Sequence, residues 1–265
     1  MTGPHAAFAQ ARIQAAYSAL PHEEHWDQLR GARNLSAYLE EARNGPFRLW
    51  VRGYSAQSEP HVIERGLRML FIERVEQTCA VVPWQWRPML MHWRWVPYLP
   101  IIAGLGPGQP MPAWTALDAV LGCLTPDPGG LPSQVSSCDQ LAELMMFAGD
   151  PDALAAFWLQ RWYSSLGHLG QGSRANVTDL AEQLMQHLND GGTDDHGDAW
   201  RMRRELREHL RAQFHRVVMR PLVALIYLSL LALDLERLRR ALVDRALFDA
   251  LPGHEDGAPE ERRAG

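Results

Sequence analysis

Residues 221–233 run thirteen positions without a charge (PLVALIYLSLLAL). As a helix rising about 1.5 Å per residue, the run is about 20 Å long, short of the roughly 30 Å of hydrocarbon in a bilayer. A helix that is apolar on every side and too short to span must be buried among other elements. It continues directly into the charged positions Asp234, Glu236, Arg237, Arg239 and Arg240.

The rest of the chain reads as helical neighbours for it. In 59–82, apolar residues recur at Val62, Ile63, Leu67, Leu70, Phe71 and Val75, a helical spacing, with Ser58 placed to cap. Residues 139–165 continue the pattern, and Asp150 before Pro151 reads as an N-cap with proline in the first turn. Asn176 or Thr178 is placed to cap a stretch ending near Leu188. Strict two-residue alternation is missing, so the predicted fold class is all-α.

Two proline- and glycine-rich stretches, 104–112 and 125–132, punctuate the pattern. They suggest a first helical lobe over 1–103 and a connector region over 104–138. A second lobed part over 139–251 then includes the late apolar helix. The polar tail 252–265 reads as disordered. A faint internal echo relates Leu67, Arg68 and Phe71 to Leu210, Arg211 and Phe214, as two related helical lobes would.

All 26 cationic residues are arginine, against 31 Asp and Glu, for a net charge of −5 and a pI near 6.1. Without lysine there is no Walker A phosphate loop and no Schiff-base chemistry. The acidic balance argues against a nucleic-acid partner. Cys79, Cys123 and Cys138 have no paired spacing and read as reduced thiols of a cytosolic protein. The first ten residues do not have the pattern of a secretory leader.

Candidate sites are few. His22 and His25 lie three apart, but zinc hydrolase signatures space their histidines differently, so the segment reads as an acidic helix start. Asp190, Asp194, Asp195 and Asp198 lack the register of a calcium loop. In 83–98, Trp84, Trp86, Trp93 and Trp95 alternate with Arg87 and Arg94 around prolines. That stretch is either a partner-binding surface or a packed helix crossing with arginines stacked on indoles. Between 200 and 220, seven arginines face two glutamates, with Met202, Leu206, Leu210, Phe214 and Val217 as the buried stripe. Arg201, Arg203, Arg204, Arg207 and Arg211 are therefore candidates for gripping an acidic partner.

Three segments together resemble one protein family, that of the C and d subunits of A-type and V-type rotary ATPases. Phe8, Ala9, Gln10, Ala11, Arg12 and Ile13 are similar to that family's opening Y-x-N-A-R-V. A short helix over 35–42, a turn at Gly45, Pro46 and Phe47, a long helix and a proline–aromatic stretch follow its order. Tyr227, Leu228, Asp234, Leu235, Leu238 and Arg239 fall in register with its late helix, although Leu231 and Ala232 stand where the family has lysine and glutamate. The resemblance implies helical lobes arranged as a funnel, with the middle lobe reduced here. It implies a non-catalytic subunit without a cofactor, seated peripherally on the cytoplasmic end of the membrane proteolipid ring. There it would receive the foot of the central-stalk shaft. The Arg-rich helix and the tryptophan stretch would be its contact regions.

Overall fold

The computed structural model describes residues 3–106, 111–118, 120–124, 136–190 and 196–248. The 125–132 connector, residues 191–195 of the acidic stretch and the 252–265 tail lie outside them. The chain is all-α, with no strand among the described residues. The first part comprises α1 (Gly3–Ser18), α2 (Glu23–Leu29), α3 (Leu35–Arg43), α4 (Arg48–Val51) and α5 (Pro60–Val81). The tryptophan stretch folds as 3-10 turns around the short α6 (Arg87–His92) and runs into α7 (Leu99–Gly104). Then come α8 (Ser136–Met145), α9 (Pro151–Ser165), α10 (Gln171–Asp190), α11 (His196–Phe214) and α12 (Pro221–Phe248).

The charge-free run lies at the centre. From residue 223 through 231 every side chain of α12 is buried, including Tyr227 and Ser229. α12 packs against α5, α11, α10, α1 and α3. Full burial of each leucine there is worth about 1.5–3 kcal/mol relative to exposure. The Ser229 hydroxyl donates to the Leu225 carbonyl at 2.7 Å, so it is satisfied within its own helix. No helix among the described residues is long and apolar enough to cross a membrane.

α1 joins this core through Ala6, Ala9 and Ile13, a three-and-four spacing of small and branched residues. Beside them the buried Gln10 side chain accepts from the Met219 amide at 2.9 Å. That amide belongs to the turn into α12, where Met219 has a φ of 53°. The left-handed conformation turns the chain back sharply between α11 and α12.

Two helix starts differ from the sequence expectation. Pro60 occupies the first turn of α5, so Glu59 rather than Ser58 takes the cap position, and Ser58 Oγ instead accepts from the Ser55 amide. α10 begins at Gln171, which puts Asn176 and Thr178 inside the helix. Asp150 caps α9 as expected, accepting from the Ala153 amide at 3.0 Å.

Inside the connector region, Asp118 is buried and receives the Arg68 guanidinium of α5, with Nη2 at 2.8 Å. The Tyr98 hydroxyl and the Val120 and Leu121 amides also donate to that carboxylate, and Arg68 together with the two amides holds its pKa low against the cost of burial. Residues 113–118 and 120–124 are thereby tied to α5. The echo helices bury their leucine and phenylalanine in both places, yet Arg68 meets Asp118 while Arg211 meets the Pro21 carbonyl.

Candidate functional site

Arg203, Arg207 and Arg211 recur at the four-residue interval that stacks side chains along one helix face. That face of α11 turns toward α2 and α12. Arg203 Nη2 pairs with Glu236 Oε1 at 2.8 Å. Arg211 Nη2 donates to the Pro21 carbonyl at 2.8 Å. Arg207 lies between them, with Nη1 donating to Glu23 Oε2 at 2.8 Å and Nη2 to the Pro21 carbonyl at 3.0 Å.

Glu23 also accepts both Nη groups of Arg237, at 2.9 and 2.7 Å, and the Arg237 guanidinium lies 4.4 Å from the centre of the Trp26 ring. These donors, Arg237 foremost, lower the Glu23 pKa. Beneath them sits Asp234, 1% exposed, with Oδ1 2.8 Å from Arg207 Nη2. The approach is close but poorly aligned: neither Asp234 oxygen accepts a hydrogen bond, so the attraction is Coulombic. Burial outweighs it and pushes the Asp234 carboxyl up to about 7, while burial lowers the Arg207 pKa.

The cluster lines a cleft of about 310 Å³ between α2, α11 and α12. Seven arginines and three carboxylates face it. Arg204 and Arg240 are exposed there, with no carboxylate partner among the described residues. The chemistry available is orientation and charge: guanidinium forks that hold carboxylates bidentately, and one carboxyl that exchanges a proton near neutrality.

The predicted stripe of α11 is kept at Leu206, Leu210, Phe214 and Val217, which are buried or packed against the core, but it loses Met202 and gains Arg207. Met202 is exposed at 37%, whereas Arg207 is buried at 8%. Arg203, Arg207 and Arg211 are thus internal ties, with their guanidinium groups engaged by Glu236, Glu23 and the Pro21 carbonyl. Arg201 and Arg204 remain on the outer face.

The tryptophans are also corrected as a contact region. Trp86, Trp93 and Trp95 are buried, and only Trp84 is outside, 60% exposed. The 3-10 turns keep the stretch compact, and its indoles divide between neighbours, Trp93 against α9 and Trp95 against α8. The Trp93 ring meets Trp158 edge-on at 6.2 Å. Trp95 Nε1 donates to Gln140 at 3.2 Å, and Arg94 stacks on that ring at 4.5 Å. The packed-crossing reading describes these three residues.

Of the family-like positions, Tyr227, Asp234 and Leu238 are buried, Arg239 is half-exposed against Glu64, and Arg12 is exposed. His22 and His25 serve α2 itself: His25 Nδ1 accepts from the His22 amide at 3.1 Å. The buried Cys79 is a free thiol, pushed up to about 12 by burial. Sequence reasoning did not find Glu23, Arg237 or Glu236 as partners of the Arg-rich helix. The available signal was Asp234 itself, a carboxylate adjoining an apolar run and in need of a buried cation. Compared with known proteins, the chain matches no family model, no curated protein and no solved structure.

Proposed function

We propose that this chain is a non-catalytic coupling subunit of a V/A-type rotary ATPase, linking the central-stalk shaft to the membrane proteolipid ring. In this reading it sits peripherally at the cytoplasmic end of the ring and carries torque without binding ATP. One observation carries the proposal. The opening motif on α1 and the late helix α12, two segments that resemble the family, pack against each other, and Gln10 accepts from the Met219 amide, 209 residues away in the turn that leads into α12. A shared core between the ends of the chain suits a body that is turned as one piece. The experiment is co-expression with a proteolipid ring and central-stalk proteins, followed by purification on the ring. Recovery of this chain with both supports the reading; recovery with neither sinks it.

A second reading is a helical adaptor that holds an acidic protein on the outer face of α11. Exposed Arg204 and Arg240 favour it, since they lack a carboxylate partner among the described residues. Here Arg204→Gln with Arg240→Gln abolishes partner binding and leaves ring assembly intact.

A further inference from the structure

A second cleft, of about 400 Å³, opens beside the arginine cluster between α5, α7, α10 and α12. Its walls are apolar: Leu67, Phe71, Trp93, Val96, Met185 and Ala232 face it. Its rim is charged, with Arg203 paired to Glu236 and Arg239 paired to Glu64. The two clefts share Arg203, Leu233, Glu236 and Arg239, so the apolar cavity runs out directly into an arginine-rich mouth. Arg203 Nε is buried there without a hydrogen-bond partner. Ser229 in the wall is satisfied by its own helix and Arg68 by Asp118, which leaves Trp93 Nε1 as a buried donor without a partner in an otherwise apolar wall.

We propose that the paired clefts bind a free long-chain carboxylate, tail inward and head at Arg203 and Arg239. The cavity falls within the roughly 300–1,000 Å³ range of small-molecule sites, which are apolar with a few placed polar groups. The charge at the mouth selects the head group. Half-exposed ion pairs such as Arg239–Glu64 contribute little to stability, so an incoming carboxylate can share or take the guanidinium.

The test compares laurate with dodecyltrimethylammonium, the same tail under opposite heads, below their micelle concentrations and by calorimetry on the full chain. Laurate binds one to one and at least about tenfold tighter than the cation. The Arg203→Gln, Arg239→Gln double variant loses that discrimination, and Ala232→Phe weakens laurate by about tenfold or more by filling the cavity. The head-group comparison needs no variant, so it decides the matter even where Ala232→Phe fails to fold. Equal affinity for the two heads, no laurate binding, or unchanged affinity in a folded Ala232→Phe overturns the proposal. Binding only to anionic lipid vesicles, without monomeric laurate, also overturns it, because it places the interaction on the outer surface.

Discussion

Arg207 Nη2 stands 2.8 Å from Asp234 Oδ1, and the two side chains are 9% and 1% exposed. They come from facing helices, α11 and α12, and neither carboxylate oxygen is hydrogen-bonded. The pair fixes the register of the two helices while leaving the carboxyl poorly solvated.

That arrangement predicts an unusual pH profile. The Asp234 carboxyl is raised to about 7, so between about pH 4 and 7 the folded chain keeps a proton that the unfolded chain has released. Stability from this group is complete at low pH and falls as pH rises, by at most about 1.4 kcal/mol per unit. Burial lowers the His92 imidazole to about 4, and its Nε2 lies 3.3 Å from the Trp158 carbonyl. Its contribution is complete above about pH 6.5 and is lost as pH falls toward 4, the opposite slope. The two oppose each other, so unfolding free energy is nearly flat between about pH 4.5 and 6.5. Asp234→Asn unmasks a rise with pH and His92→Gln a fall, read by urea melts at three pH values. A variant profile that overlays the wild type counts against both assignments.

Truncating the arginine cluster separates inner from outer positions. Arg207→Gln removes the buried donors to Glu23 and the Pro21 carbonyl and costs about 1.5–3 kcal/mol. Arg204→Gln lies on the outer face and stays within about 0.5 kcal/mol of wild type. Chemical denaturation of the two variants side by side measures the difference; similar losses would place Arg204 inside.

Gly66 in α5 has no room for a methyl group. A Cβ there meets the Tyr54 hydroxyl and stands 2.9 Å from its Cε1. Tyr54 cannot retreat freely, since its hydroxyl donates to the Ile63 carbonyl at 3.1 Å. Gly66→Ala therefore lowers stability by about 1–3 kcal/mol, despite gaining about 1 kcal/mol in helix propensity. Tyr54→Phe in the same chain recovers part of the loss, and thermal melts of the double variant reveal the coupling.

The tryptophans divide in the same manner. Trp93→Ala removes a fully buried ring and costs about 3–5 kcal/mol, whereas Trp84→Ala costs under about 1 kcal/mol. Among the tryptophans whose side chains are described, acrylamide quenching should reach Trp84 first. A Trp84 that quenches with the buried set would contradict its placement.

The helical class and the buried late helix were legible because their signals are local. Three-to-four spacing and a thirteen-residue charge gap state the environment directly. The Asp150 cap was legible for the same reason, while α10 starts at Gln171 and runs through Asn176, because a good capping residue does not by itself set where a helix begins. The direction of the tryptophans was not legible, since an indole serves core and surface alike and α9 decides which. The arginine ties were hidden because their partners, Glu23 and Asp234, lie on other helices. Asp118, a lone carboxylate in a proline-rich stretch, gave no hint of Arg68, 50 residues away.

The central position of α12 also governs how the chain is made. It is the last described helix, yet the surfaces it covers belong to α1 and α5, which leave the ribosome long before it. Until residues 221–248 emerge, those earlier faces stay open to water and to other nascent chains. Closing the core therefore waits for α12, and the waiting interval is when a chaperone would matter most.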